Sequence, residues 1–157
     1  MSSDVSLLMI SSKTGKIVGE CRRAGHVDEI DIEGWSFGAQ NFSEPNGRTS
    51  KVSIDEVHLQ KIVDRSSLVI FKACSTGEVF KEATLTARKA GDNDDYMTIK
   101  MLSVQVSAVQ TSGSGGNSLP SESFSLNFLG YIMTYRTQNP DGSLGPASSV
   151  EFHKTVR

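Results

Sequence analysis

Cys74, His26 and His58 are the residues in this sequence that come nearest to a nucleophilic site. A cysteine activated by a histidine attacks carbonyl carbon in hydrolases that form a covalent intermediate. Cys74, however, lies within the apolar run of a predicted helix, where a thiol is ordinarily a small core residue. We therefore expect Cys74 to belong to the core, and a hydrolase remains the weaker hypothesis.

No pattern in the sequence is typical of a metal or cofactor site. The histidines at 26, 58 and 153 are isolated from cysteines and paired carboxylates, and neither HExxH nor CxxC occurs. The glycine-rich residues 113–116 lack the GK[ST] ending of a phosphate loop. We therefore expect no catalytic residue, no metal and no cofactor, so the protein is not predicted to be an enzyme.

Length and composition limit the remaining choices. The 157 residues, 37% of them hydrophobic, suit a single domain spanning 1–157 with one core. Sixteen Lys and Arg against eighteen Asp and Glu give a net charge of −2, which does not favour binding to nucleic acid or an anionic membrane. The first ten residues carry Asp4 and only a short apolar run, so we expect neither signal peptide nor membrane insertion. In the cytoplasm where such a chain is made, Cys21 and Cys74 are expected to be free thiols.

Segments rich in Val, Ile, Thr, Phe and Tyr recur along nearly the whole chain, between clusters of Gly, Ser, Asn and Pro. This pattern is typical of an all-β protein. The predicted strands cover residues 5–11, 17–21, 29–40, 51–62, 79–89, 95–110, 122–138 and 149–156.

Residues 64–77 form the exception, because they predict a helix. Asp64 or Ser66 offers an N-cap oxygen, and Gly77 can adopt the left-handed conformation beyond the last turn. Apolar residues nearly encircle the helix axis, and a short helix of this kind is usually buried or closes the end of a barrel. We therefore expect a helix that is either buried or closes the end of the barrel.

Several predicted strands change the face on which their apolar residues lie. In 51–62, Val52 and Ile54 share one face, whereas Val57 and Leu59 share the other, and 95–110 and 122–138 show the same change. Either a bulge re-aims the strand around a barrel corner, or a neighbouring subunit covers the outer face. Both explanations suit a closed barrel, and the second requires an oligomer.

Residues 26–38 combine a polar segment with good strand sequence. The acidic side chains Asp31 and Glu33 alternate with isoleucines, which is typical of a strand with one wet face. Trp35 and Phe37 then fall on one face and Ser36 on the other. One of these two faces belongs to the core.

Five motifs follow one another along nearly the whole chain. They are HVDEIDIEGWSFG at 26–38, ACSTG at 73–77, LTARKAG at 85–91, TSGSGG at 111–116 and SFSLNFLGYIMTY at 123–135. Taken together, their order and spacing resemble the Hcp family, the tube proteins of bacterial type VI secretion systems. The chain departs from the family pattern at Phe37 and Phe152, where tryptophan is frequent, and at Cys21, where serine is common.

The resemblance implies a mostly β fold: a closed barrel of two packed antiparallel sheets, with one short α-helix at its side. Members of the family assemble as six-membered rings that stack into a hollow tube. Such a head-to-tail ring needs two different complementary surfaces on each subunit. By this resemblance Leu129, Tyr131 and Met133 would be buried between neighbours, and Ser36 and Glu33 would face a polar lumen.

The resemblance also implies how the tube is used. The loop at 41–50, with Glu44, Asn46 and Arg48, would reach toward the adjacent ring. The partners would be further copies of the chain, a spike protein, a contractile sheath and small effectors in the lumen, and the tube would be secreted without a signal peptide. The alternative hypothesis is a monomeric small β-barrel that binds a ligand. It requires an aromatic-lined pocket, although only 7% of the residues are aromatic.

Overall fold

The computed structural model describes residues 4–42, 52–88, 95–116 and 118–154. The strands are β1 (Val5–Ser11), β2 (Gly15–Lys16), β3 (Ile30–Ile32), β4 (Gly34–Ser36), β5 (Ala39–Asn41), β6 (Val52–Ile54), β7 (Val57–Ile62), β8 (Val79–Arg88), β9 (Asp95–Ser112), β10 (Ser121–Gln138) and β11 (Leu144–His153). The helix, α1, is Arg65–Thr76. The prediction of a mostly β protein with one short helix is confirmed.

Most of the strands belong to one nine-stranded antiparallel sheet. Its order is β2-β1-β8-β9-β10-β7-β4, and in addition β3 pairs with β1 and β11 pairs with β10. Strand β10 is long enough to pair with β7 along its first part and with β11 along its second. Ile32 pairs with β1 and Gly34 pairs with β7, so only Glu33 separates these two pairings. Strands β5 and β6 form a separate two-stranded sheet.

The predicted strands agree with the structure where a segment has one pairing partner on each side. The predictions for 5–11, 79–89, 95–110 and 122–138 correspond to β1, β8, β9 and β10. The predicted strand at 29–40 is instead three short strands, because the chain passes from β1 to β7 and then to β6. The prediction for 17–21 is wrong, and β11 begins at Leu144, before the predicted start at 149.

Two of the changes of apolar face have a backbone cause within the strand. In β9 the change occurs at Ser103, whose φ of 54° lies in the left-handed region. The register with β10 is the same on either side of Ser103, at Val104 and Leu102, so no extra residue is inserted there and the left-handed backbone of Ser103 itself turns the strand. The segment 51–62 changes face because it is two strands, with a break at 55–56.

Helix α1 begins and ends at the residues that its sequence indicates. The Asp64 carboxylate accepts a hydrogen bond from the Ser66 backbone N–H, and the Ser67 side chain accepts one from the Asp64 N–H, which completes a capping box. Gly77 ends the helix with a φ of 70°. The prediction that the helix is buried is wrong for its outer side, where Leu68 is 79% exposed and Phe71 is 52% exposed. Its inner side contributes buried Ile70 and Ala73 to the core.

The turn between β10 and β11 is fixed by one carboxylate. Both the hydroxyl and the backbone N–H of Ser143 donate to Asp141 Oδ1, at 2.6 and 3.0 Å. These hydrogen bonds favour the ionised carboxylate and lower the pKa of Asp141. A lowered pKa means that the stabilisation is present at neutral pH and is lost as pH falls through the folded-state value.

A buried lysine connects the start of α1 to the sheet. The Lys61 ammonium donates to Asp64 Oδ1 at 2.9 Å, to Ser67 Oγ at 2.8 Å and to the Ile62 carbonyl at 3.1 Å. Its cross-strand neighbour Glu122 is also buried, with Oε2 3.5 Å from the ammonium. Neither Glu122 oxygen has a hydrogen-bond partner among the described residues. The ammonium therefore stabilises this site, whereas the Glu122 carboxylate adds little to it.

Substitution of the two residues should therefore have unequal effects. Lys61→Met leaves Asp64 and Glu122 without a cation, and we expect it to lower the free energy of unfolding by ~3–5 kcal/mol. Glu122→Met leaves Lys61 paired with Asp64, so its cost should stay within ~1 kcal/mol. Urea unfolding of both variants and the double variant measures this. Equal losses in the two single variants would contradict the assignment.

Gly19 allows two backbone segments to lie unusually close. Its N–H donates to the Asp28 carbonyl at 2.8 Å, and the Cys21 N–H donates to the Glu29 carbonyl at 3.0 Å. A Cβ on Gly19 would lie 2.7 Å from the Ile30 Cα and closer still to the Glu29 carbonyl oxygen. Since both neighbours are backbone, a larger residue here requires movement of the segment that enters β3.

Gly19→Ala should therefore destabilise the fold by ~1–3 kcal/mol through overpacking. Gly115→Ala is the matched control, because no atom lies within 4 Å of the Cβ that it would add. Thermal unfolding followed by circular dichroism gives the comparison. Equal melting temperatures for the two variants would show that the close approach at Gly19 does not limit stability.

Candidate assembly surfaces

The core-facing side of the sheet continues beyond the core at one end of β9, β10 and β11. Ile99 is buried there, and Met133 lies opposite it on β10. Val150 of β11, which is 61% exposed, pairs with Met133 in the same row. One row further out Met97 pairs with Tyr135, which is 51% exposed. We call Met97, Met133, Tyr135 and Val150 the distal apolar face. Together with Thr134, Ser148 and Ser149, these residues line an open cleft of about 260 Å³.

The opposite side of the same strands is polar. Thr134 and Ser149 are cross-strand partners, and their hydroxyl oxygens lie 3.0 Å apart. Since neighbouring residues of a strand point to opposite sides, the distal apolar face is a one-sided feature. Strand β11 pairs with β10 alone among the described strands, so its other edge carries unpaired backbone groups. An apolar side beside an open edge is typical of a surface that another polypeptide covers.

An aromatic cluster joins this projecting end to the core. The Tyr131 ring stacks on Phe152, with centroids 5.8 Å apart, and meets Phe37 edge to face at 5.3 Å. Phe128 lies 5.7 Å from Phe37 and 6.2 Å from Tyr131. These contacts connect β10 and β11 to the residue after β4, so the projecting strands are held against the core.

The residues expected between neighbouring subunits occupy different environments. Tyr131 and Met133 are half-buried and pack against the core cluster, whereas Leu129 is 46% exposed. Sequence reasoning did not assign Val150, Tyr135 or Met97 to a contact between subunits, although Val150 alternates with Ser149 and Glu151. That alternation was the available signal.

Ser36 lies in a polar row that crosses four strands. It pairs with His58 on β7, His58 pairs with Ser125 on β10, and Ser125 pairs with Ala108 on β9. The His58 Nδ1 atom lies 2.7 Å from Ser125 Oγ. The next row consists of Gly34, Gln60, Ser123 and Gln110. Small and uncharged polar side chains therefore cover this part of the sheet, on the side away from the core residue Leu59.

Glu33 lines a different cleft from the one beside His58 and Ser125. Its cleft of about 570 Å³ is bordered by Glu20, Arg22, Asp31, Glu33, Ile62, Val63, Asp64 and Leu119. Carboxylates predominate, and no aromatic ring lies among these described residues. Three of these residues, Ile62, Val63 and Leu119, are apolar, but the cleft lacks the aromatic lining that the hypothesis of a ligand-binding barrel requires.

The loop residues Glu44, Asn46 and Arg48 lie outside the described residues. On either side of them, β5 and β6 pair with each other and with no other described strand, and their side chains are exposed or half-buried. Phe42 and Val52, which flank the loop, are both exposed.

The candidate nucleophile and bases lie in separate environments. His26 is held between Glu29 Oε2 and Asp95 Oδ2, each 2.9 Å from a different ring nitrogen. His58 bonds to Ser125, and Cys74 is half-buried against the core cluster. Both ring nitrogens of His26 are engaged by carboxylates, so it is not available as a base for Cys74. Cys74 itself packs against the core cluster and is half-buried.

Neither a metal-ligand group nor a transmembrane helix was found in the described parts of the chain. No three or more His, Cys, Asp and Glu side chains there are placed to hold a metal ion. The helix that the structure describes is too short and too polar to cross a membrane.

Comparison with known proteins gives one family throughout. The model of the family described as "Type VI secretion system effector, Hcp" matches residues 10–135. The protein named hcp1 of Pseudomonas aeruginosa is 34% identical over 137 residues, which cover 83% of this chain and 85% of that protein. The chain therefore belongs to the Hcp family.

Solved structures of the family have the same fold. A structure titled as a type six secretion system protein has a TM-score of 0.86, at 23% identity over 96% of this chain and 94% of that one. A type VI secretion system effector from Yersinia pestis has a TM-score of 0.76, at 23% identity over 96% of this chain and 99% of the other. Hcp proteins are secreted structural components of type VI secretion tubes and form oligomers, so the prediction that the chain is not an enzyme is confirmed by its family.

Proposed function

We propose that this chain is a ring-forming subunit of a type VI secretion tube, and that the distal apolar face is buried between neighbouring copies. The observation that carries the proposal is the combination of exposed Tyr135 and Val150 with the open edge of β11. A neighbour that packs on this face removes apolar surface from water, at ~25 cal/mol per Å². Leu129, Tyr131 and Met133 belong to the same contact region.

A closed barrel is part of the proposal. Support comes from the pairing of β3 with β1 and of β4 with β7, since the chain passes from one to the other through Glu33 alone. Closure would leave few free strand edges in the body of the subunit, which favours the projecting β11 as the edge available for assembly. The whole chain, 1–157, would then act as one building block.

In the assembled tube we assign the polar rows around Ser36 to the lumen. This assignment is supported by the hydroxyl and amide side chains of these rows, which form no apolar patch. Such a surface suits a water-filled channel, because a cargo protein must be able to dissociate from it. Glu33 would add negative charge at the edge of this surface. The loop with Glu44, Asn46 and Arg48 is assigned to contacts between stacked rings.

We further propose that six copies form each ring, that the rings stack into a tube, and that small effectors bind in its lumen. A spike protein and a contractile sheath would be the other partners, and the tube would leave the cell through the type VI system without a signal peptide. Support for these assignments comes from membership of the Hcp family.

The contact between copies is tested with Val150→Asp, which places a charge on the distal apolar face. Since Val150 is exposed, the subunit should still fold, and the assembly should dissociate to a monomer. Ser149→Asp, on the polar side of the same strand, is the control and should leave the assembly intact. Light scattering after gel filtration measures both masses. A Val150→Asp protein with the wild-type mass would contradict the proposed interface.

The lumen assignment is tested with Ser36→Trp. Ser36 is exposed beside His58, so a bulky ring should spare the wild-type mass while it narrows the channel. We expect fewer small proteins to co-purify with this variant from cells that express the whole secretion system. Ser118→Trp in an exposed loop is the control. Loss of folding in Ser36→Trp, or unchanged retention of cargo, would refute the assignment.

A further inference from the structure

Helix α1 carries a second apolar pattern on the side that faces away from the core. Arg65, Leu68, Val69 and Lys72 follow the spacing i, i+3, i+4, i+7, so they form one stripe along the helix. All four are exposed, and Leu68 is the most exposed large apolar residue in the described parts of the chain. Apolar residues with this spacing normally pack against another element. Here, however, Leu68 and Val69 are exposed to solvent between the cations Arg65 and Lys72.

The stripe borders a groove rather than a flat surface. The segment that follows the β1–β2 turn forms the opposite wall, with buried Ile17 and exposed Val18. The groove has a volume of about 520 Å³ and is lined by Thr14, Lys16, Ile17, Val18, Arg65, Leu68, Val69, Lys72 and Glu78. A helix-shaped ligand fits such a site, because its own apolar stripe can lie along Val18, Leu68 and Val69.

The rim of the groove is positively charged. Lys16, Arg65 and Lys72 form no ion pair with any carboxylate in the described residues, and all three are exposed. Glu78, which accepts a hydrogen bond from Ser11 Oγ at 2.8 Å, is the one acidic residue among those lining the groove, so three cations there face a single carboxylate. The charge of the rim is therefore complementary to an acidic partner.

We infer that this groove, bounded by residues 14–18 and α1, binds an amphipathic helix of another protein, whose apolar stripe is flanked by Asp and Glu. A second copy of the chain fits the groove poorly. Helix α1 of a second copy would carry the same basic stripe. If the two stripes faced each other, Arg65 and Lys72 of one copy would lie against the same cations of the other, which is unfavourable. The distal apolar face, which we assign to neighbouring copies, involves other strands.

The test uses the assembled wild-type protein and two synthetic peptides of about 18 residues, roughly five helical turns. Both carry leucines at i, i+3, i+4 and i+7, and the flanking positions are glutamate in one and lysine in the other. Fluorescence anisotropy measures the binding of each labelled peptide. The acidic peptide should bind in a saturable manner and the basic peptide should not. Added salt should weaken binding, because the rim charges are exposed.

Two variants locate the binding to the groove. Leu68→Ser should weaken binding of the acidic peptide at least tenfold, whereas Leu119→Ser, at an exposed leucine that does not line the groove, should have no effect. Arg65→Glu with Lys72→Glu should abolish binding of the acidic peptide and allow the basic peptide to bind. Lys81→Glu, at an exposed lysine of β8, is the control for charge.

Light scattering gives the mass of each variant, and so shows whether a change in peptide binding occurs without a change in the proposed ring. Unchanged masses with the expected binding pattern support an acidic helical partner. No saturable binding of the acidic peptide to wild-type protein, or equal binding to Leu68→Ser, would overturn the inference and leave the ring unaffected. Loss of the oligomer in Arg65→Glu with Lys72→Glu would also overturn it, because the groove would then be a contact between copies.

Discussion

The length of β9, β10 and β11 relative to the core is the constraint on which the rest of the structure depends. On β9 the last buried residue toward this end is Ile99, and beyond it the inner side of these strands stays apolar and partly exposed in the part of the chain that the structure describes. A soluble subunit with such a side must either bury it or expose it at a cost in free energy. The aromatic cluster around Tyr131 fixes the projecting strands, so that they meet a neighbour as a preformed surface.

Two separate parts of the sheet differ in character. The projecting ends of β9, β10 and β11 have an apolar inner side, which suits the proposed assembly, whereas the polar rows around Ser36 and His58, beside the first part of β10, offer a passing protein little apolar surface to bind. The outer stripe of α1 adds a third surface with a different charge. These surfaces follow from the alternation of side chains along strands and from the 3.6-residue repeat of one helix.

Local chemistry made part of this architecture predictable from the sequence. Asp64 and Gly77 marked the ends of α1 because caps act within one turn, and the long alternating segments marked β9 and β10. The divided segment at 29–40 was not predictable in the same way, because its breaks depend on which distant strands it pairs with. The exposure of Leu68 and Phe71 was missed for a related reason. An apolar residue on a helix does not indicate whether the rest of the chain reaches far enough to cover it.

The candidate surfaces were predictable to a similar extent. The motifs at 26–38 and 123–135 indicated the family. Alternation placed Ser36 on the opposite face from Trp35 and Phe37. In the structure Ser36 pairs with His58, on the polar side of the sheet. Val150 and Met97 escaped notice because each looks like an ordinary strand residue, and only the register with β10 places them on one uncovered face. The roles of Glu44, Asn46 and Arg48 remain predictions.

Electron microscopy of the purified, negatively stained protein tests the central claim most directly. If the uncovered side of β9, β10 and β11 meets a copy of the same chain, class averages will show annuli with six-fold symmetry and a central hole. Particles no larger than a single 17.0 kDa subunit, at every concentration sampled, would contradict the account.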